Sequence, residues 1–229
     1  MFYKNVFEVM PIWMYGWLST FSGTPIYASV LYQCYNTIFT SWPIIWFATY
    51  DFEYSKKVLL SRPKLYWIGL NDVYFNKWVF WRWFFYGMGQ STLIMFVCYY
   101  TTASLSPTYS GHTGSQQAAG NLIFIVLVIA VNIKVLVSSY QYSWIIVTLV
   151  VVSDATTLVA FYWVANTRLF PEYLGNFRAL YTAPETYTAM IFCTFAFVLW
   201  DVGTERTNTE IRKWRRDARV RAEYEQKRK

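Results

Sequence analysis

Long apolar runs alternate with short polar segments along the chain. The runs fall at residues 2–20, 26–48, 78–100, 120–138, 143–164 and 185–200. Most approach the roughly 20 residues that an α-helix needs to cross a hydrocarbon core about 30 Å thick. They are too long and too continuous for strands, and they predict about six transmembrane helices. The expected fold is therefore all-α: a polytopic membrane domain over residues 1–203 and a charged tail over 204–229. From residue 206 that tail mixes Arg and Lys with Asp and Glu and reads as a polar helix.

Polar positions inside the runs carry the chemistry. The stretch FSGTPIYASVLYQCYNTIFTSWP, residues 21–43, puts a Phe-Ser-Gly turn before an apolar helix bearing Tyr35, Asn36, Thr40 and Ser41, and it closes on Pro43. Polar groups are expensive in hydrocarbon, so they face a protein interior, a water-filled path or a substrate. Two readings stay open, hydrogen-bonding glue between helices and the lining of a transport path. Three further sites are intramembrane charges. Lys4 and Glu8 stand at i,i+4 spacing, so the expectation for Glu8 is a local ion pair on one helix face or a contact to another subunit. Lys134 lies close enough to a helix end to snorkel. Asp154 sits near the middle of its run and is expected to be neutral and bonded to Ser153 or Thr156. One acid makes no proton relay.

Composition agrees with a membrane protein. Only 14% of the 229 residues are charged and 55% are hydrophobic, against about 25% charged in soluble domains. Twelve Trp and twenty Tyr suit a chain with many membrane–water boundaries. Cys34, Cys98 and Cys193 all lie in apolar runs and read as packing residues rather than a disulfide framework. His112 is the only histidine and has no Cys, Asp or Glu company, so no metal site is expected. No catalytic residue, cofactor or nucleic-acid partner is expected either.

The net charge of +7 is placed unevenly. Lys56, Lys57, Arg62, Lys64, Lys77 and the tail fall on one side of six spans, against Arg168 and Arg178 on the other. The positive-inside rule then puts both termini on the cytosolic or matrix side. No removable presequence is visible, and Met1 reads as a native start.

The ordered motifs resemble the carboxy-terminal membrane region of phospholipid-flipping P-type ATPases. They are Tyr3-Lys4-Asn5, Pro11-Ile12-Trp13, Phe21-Ser22-Gly23 and Tyr35-Asn36-Thr37-Ile38-Phe39-Thr40-Ser41-Trp42-Pro43. Weaker echoes follow in Arg62-Pro63-Lys64-Leu65-Tyr66 and Val131-Asn132-Ile133-Lys134. The resemblance implies the last six helices of such a pump and a lipid-headgroup path near Lys4 and Asn5, with Asn36, Thr40 and Ser41 as further candidates. Glu8, Asp154 and the Leu199-Trp200-Asp201 end of the last run depart from the family pattern.

The family's phosphorylation motif, Asp-Lys-Thr-Gly-Thr, does not occur in the sequence, nor does a Gly-rich phosphate loop. The chain alone is therefore expected not to be an enzyme. The leading expectation is a non-catalytic structural or accessory subunit of a larger membrane complex. Its expected setting is an organellar inner membrane such as the mitochondrial one. Its expected partners are other membrane subunits and bound phospholipid, and the tail is expected to dock on one of those subunits. The alternative is the carboxy-terminal half of a split flippase whose catalytic domains lie on another chain. A second alternative is a passive lipid-binding or scrambling protein.

Overall fold

The computed structural model describes residues 2–52, 54–62, 76–103 and 115–228, with side chains described as far as residue 207. Most of the loop motif at 63–76, and His112, lie outside the described residues. Among the described residues every regular element is helical: α1 (Phe2–Leu18), α2 (Ser29–Cys34), α3 (Ser41–Tyr50), α4 (Lys56–Ser61), α5 (Lys77–Ala103), α6 (Gln116–Ser138), α7 (Trp144–Asn166), α8 (Asn176–Thr182) and α9 (Pro184–Arg228). A π-helical turn (Tyr35–Phe39) joins α2 to α3, and a 3-10 turn (Pro171–Tyr173) precedes α8.

Three described helices are long and apolar enough to cross a membrane: α6, α7 and the Pro184–Thr207 part of α9. α5 has the length, at 27 residues, but is rich in Trp, Tyr and polar side chains.

α6 is the hub. It packs against α1, α3, α5, α7, α8 and α9, and it is apolar on all sides, as a helix surrounded by other helices should be. Phe124 of α6 takes Tyr27, Tyr35 and Phe39 edge-on, with ring centroids 5.3, 5.9 and 6.0 Å away. Gly120, near the start of α6, lets the backbone before α2 pass at close range. A Cβ there would stand 1.7 Å from the Ile26 carbonyl oxygen.

The run at 26–48 is not one helix, and Pro43 explains why. A continuous α-helix would have the Phe39 carbonyl accept from the N–H of residue 43, and proline has none. The helix therefore widens to a π turn over Tyr35–Phe39, and Thr40 leaves helical geometry at φ −130°. Phe21 and Thr20, both at positive φ, turn the chain back after α1, and the Phe21 N–H donates to the Gly16 carbonyl at 2.7 Å. At the other end, α9 runs unbroken through residues 203 and 204 for 45 residues in all, about 67 Å at 1.5 Å per residue. The expected helix at 185–200 and its tail thus form one rod.

Candidate functional site

The break in the second run becomes the meeting point of four polar elements. Lys4 of α1 is buried, and its ammonium donates to Thr40 Oγ1 at 2.8 Å. The Thr40 hydroxyl in turn donates to the Tyr35 carbonyl at 2.7 Å, five residues back, in place of a lost helical N–H. Ser41 does the same for the Asn36 carbonyl. The Tyr35 hydroxyl donates back to the Lys4 carbonyl at 3.1 Å, and its ring lies 5.8 Å from the Lys4 ammonium. Lys4, Tyr35 and Thr40 thus close a small loop of hydrogen bonds between α1 and the π turn.

The Phe39 carbonyl, deprived of a donor by Pro43, is capped from two other helices. Asn132 Nδ2 of α6 reaches it at 3.3 Å, and the Ser153 hydroxyl of α7 bonds to it as well. The same Asn132 nitrogen donates to Asp154 Oδ1 at 2.7 Å. Buried polar groups are held by partners of this kind because an unmade bond costs more than a made one gains. The seam therefore ties α1, the π turn, α6 and α7 together inside the bundle.

The five lipid-path candidates separate in space. Lys4 and Thr40 are buried together, Ser41 is half-buried, and Asn5 and Asn36 are exposed on the bundle surface. The expected Lys4–Glu8 pair is not what the structure holds, because the Lys4 ammonium is turned to Thr40. Glu8 is buried, and its Oε1 has no hydrogen-bond partner. Asp154 bonds Asn132 rather than Ser153 or Thr156, since Ser153 is turned to Phe39 and Thr156 to its own helix.

Lys134 does not snorkel. It forms an ion pair with the buried Asp201 of α9 and lies 4.7 Å from the Trp83 ring, 5.4 Å from Tyr86 and 5.7 Å from Tyr3. Four helices converge on that one charge. Sequence reasoning passed over Asn132 and Ser153 as donors to Phe39, and Asp201 as the partner of Lys134. A usable signal existed for the first two: Pro43 stands four residues after Phe39, which forces some other donor onto that carbonyl. Among the described residues no three His, Cys, Asp or Glu side chains cluster as a metal site would need, and all three cysteines are free thiols.

The fold and the seam define an all-helical integral membrane domain whose polar interior is built around a broken helix. Comparison with known families gives the class its name. The family model for the phospholipid-translocating P-type ATPase carboxy-terminal region matches residues 1–213, and the chain belongs to that family.

Curated relatives agree. The chain is 28% identical to mouse "Phospholipid-transporting ATPase IH" over 63% of its own length and 12% of the relative's. It is 26% identical to "Phospholipid-transporting ATPase DNF1" of Chaetomium thermophilum over 83% of the chain and 12% of that protein. It is 25% identical to "Probable phospholipid-transporting ATPase 5" of Arabidopsis thaliana over 86% of the chain and 16% of that protein. The chain thus spans about an eighth of the length of the relatives it matches.

Proposed function

We propose that this chain supplies the carboxy-terminal membrane region of a phospholipid flippase and works together with the pump's catalytic domains. The observation that carries the reading is the buried Lys4–Thr40 contact at 2.8 Å across the helix break. It joins the lysine and the hydroxyl that the family resemblance places on the headgroup path. In hydrocarbon a buried ammonium and a proline-broken helix are costly features to keep for packing alone. Phosphoryl transfer needs ATP, Mg²⁺ and an accepting aspartate held together, so the energy source sits with the domains that bear Asp-Lys-Thr-Gly-Thr. The chain's own contribution is the membrane part, with phospholipid as the substrate class.

In this reading α1, the broken α2–α3 unit, α5, α6, α7 and α9 each cross the bilayer. Six crossings put both ends on the side that carries the lysine-rich loops and tail, which is the cytosolic or matrix side by the positive-inside rule.

The test is gentle purification from the native membrane, followed by mass spectrometry of what co-migrates. The expected result is recovery of the Asp-Lys-Thr-Gly-Thr sequence, whether on the same polypeptide or on one that co-migrates. Recovery within a large complex that lacks such a polypeptide would overturn the reading in favour of an accessory subunit. A lone 27.1 kDa species would overturn it in favour of passive lipid handling.

A further inference from the structure

The end of α3 and the tight turn between α6 and α7 enclose a cavity of about 260 Å³. α3 stops at Tyr50, and Asp51 leaves the helix in an extended conformation that carries its carboxylate across to the turn. There Asp51 Oδ1 accepts from the Tyr140 and Gln141 amides at 3.1 and 2.9 Å, and Oδ2 accepts from Tyr140 at 3.2 Å. A turn this short cannot supply acceptors for its own amides, so Asp51 does. Among the described residues no cation pairs with Asp51, and its negative charge stands uncompensated beside the cavity that it lines.

One part of the lining suits a cation. Trp46 and Tyr50, four residues apart on α3, stack with ring centroids 4.1 Å apart, and Phe52 follows just past the helix end. Aromatic rings beside a carboxylate hold an alkylammonium group by cation–π attraction and by charge. The other part suits an anion. The cavity reaches Ser143, the cap of α7, and with it the positive end of a 23-residue helix. Ser139, only 7% exposed, lines the same cavity, and its hydroxyl has no hydrogen-bond partner. A buried hydroxyl left unpaired is costly, and an anionic oxygen in the cavity meets it.

The cavity lies at headgroup level. It sits at the shared end of α6 and α7, both long and apolar enough to cross a membrane. Tyr50, Tyr140, Tyr142 and Trp144 crowd that end, each more than half exposed, as rings do at a membrane–water boundary. Pockets that enclose a drug-sized molecule run from about 300 to 1,000 Å³. This one is smaller, so it takes a headgroup and leaves acyl chains outside.

We propose that the cavity binds the headgroup of a zwitterionic phospholipid, with its ammonium against Asp51, Trp46 and Tyr50 and its phosphate against Ser139 and the first turn of α7. The acyl chains lie along α3 and α7, which expose Ile45, Val147 and Val151. The site is separate from the Lys4–Thr40 seam, because the 10 residues of α3 put about 15 Å between Thr40 and Asp51. The proposal needs only the membrane setting and not the pump reading above.

Native mass spectrometry tests it. The intact assembly is purified, stripped of lipid in detergent and offered an equimolar mixture of phosphatidylcholine, phosphatidylethanolamine and phosphatidylglycerol. The expected result is a single tightly held phosphatidylcholine or phosphatidylethanolamine per chain, preferred about tenfold over phosphatidylglycerol. Ser139→Ala removes a hydroxyl that bonds nothing in the protein, so the Tm of the stripped protein should not change. Retention of that lipid should fall about tenfold, the worth of one hydrogen bond to a charged group. Asp51→Asn keeps an acceptor for the turn and should abolish the preference over phosphatidylglycerol. If its Tm falls, Trp46→Leu is read instead, by lost retention. Ile191→Ala, on an exposed face of α9, is the control and should retain the lipid.

Equal retention of phosphatidylglycerol by the wild type would overturn the proposal. So would wild-type retention in both Ser139→Ala and Trp46→Leu. Displacement of the lipid by an equal concentration of free phosphocholine would overturn the lipid source in favour of a soluble phosphate ester.

Discussion

Thr40→Val removes one hydroxyl and keeps the shape of the side chain, so it isolates the polar seam from the packing around it. Two buried bonds disappear: the one from the Lys4 ammonium at 2.8 Å and the one to the Tyr35 carbonyl at 2.7 Å. In water-soluble proteins a bond to a charged group is worth about 1.5–3 kcal/mol and a neutral one about 1 kcal/mol. Inside membranes the measured values are smaller, about 0.6 on average and up to about 1.7 kcal/mol, because the unfolded chain in lipid also finds partners. The membrane scale governs here, and it gives about 2 kcal/mol for the pair of bonds. For a domain of 150–250 residues that corresponds to a fall of about 4–8 °C in Tm.

The assay is thermal unfolding of the chain in detergent, followed by intrinsic tryptophan fluorescence. Thr40→Ser keeps the hydroxyl and should recover most of the loss. Lys4→Met supplies the other edge of a double-mutant cycle. Once Lys4 is gone, Thr40→Val should cost only what the Tyr35 bond was worth, about 1 kcal/mol less than in the wild type. A Tm within 1 °C of wild type for Thr40→Val, or strictly additive costs in the cycle, would refute the seam.

Further expectations follow from the neighbouring contacts. Gly120→Ala drives a methyl into the Ile26 carbonyl oxygen and should cost about 1–3 kcal/mol or more through backbone shifts, read as lower Tm and lower yield. Breaking the Lys134–Asp201 pair by Lys134→Met or Asp201→Asn alone should cost about 3–5 kcal/mol, whereas removing both charges should restore part of the loss. A double variant less stable than either single would contradict this. Asp154→Asn keeps an acceptor for Asn132 and should cost under about 1 kcal/mol, while Ser153→Ala with Asn132→Leu strips the Phe39 carbonyl. Hydrogen exchange across residues 36–41 should then rise at least tenfold in that double variant and stay near wild type in Asp154→Asn.

The helical plan was legible because hydrophobic length is a local property. The runs around 120–138 and 143–164 match α6 and α7 to within a few residues. The break at Tyr35–Phe39 was not read, although Pro43 was in plain view as the residue closing the run. Its effect is displaced four residues back, onto a carbonyl whose new donors lie about 90 and 110 positions away in the chain. The same limit explains the charges. Lys4 and Glu8 share a helix face by spacing, yet spacing holds no information about Thr40 on another helix. Lys134 near a helix end is equally suited to snorkelling and to an ion pair, and only the approach of α9 decides for Asp201. Asn5 and Lys4 are adjacent in sequence, but one helical step of 100° turns the first outward and the second into the bundle.

That 100° step also sorts the lipid-path candidates into two settings, buried and exposed. Lys4 and Thr40 are committed to each other and to the π turn, so a headgroup that reached Lys4 would have to displace an existing bond. Asn5 and Asn36, in contrast, are exposed on the bundle surface. The Phe39 carbonyl is held from outside its own helix, because its donors come from α6 and α7. A helix whose backbone bonds are borrowed from its neighbours can change shape when those neighbours shift, without leaving a carbonyl bare in lipid. The broken helix and α1 are joined directly, by the Lys4 ammonium on Thr40 and the Tyr35 hydroxyl on the Lys4 carbonyl, so Thr40→Val and Lys4→Met are expected to act on the same unit.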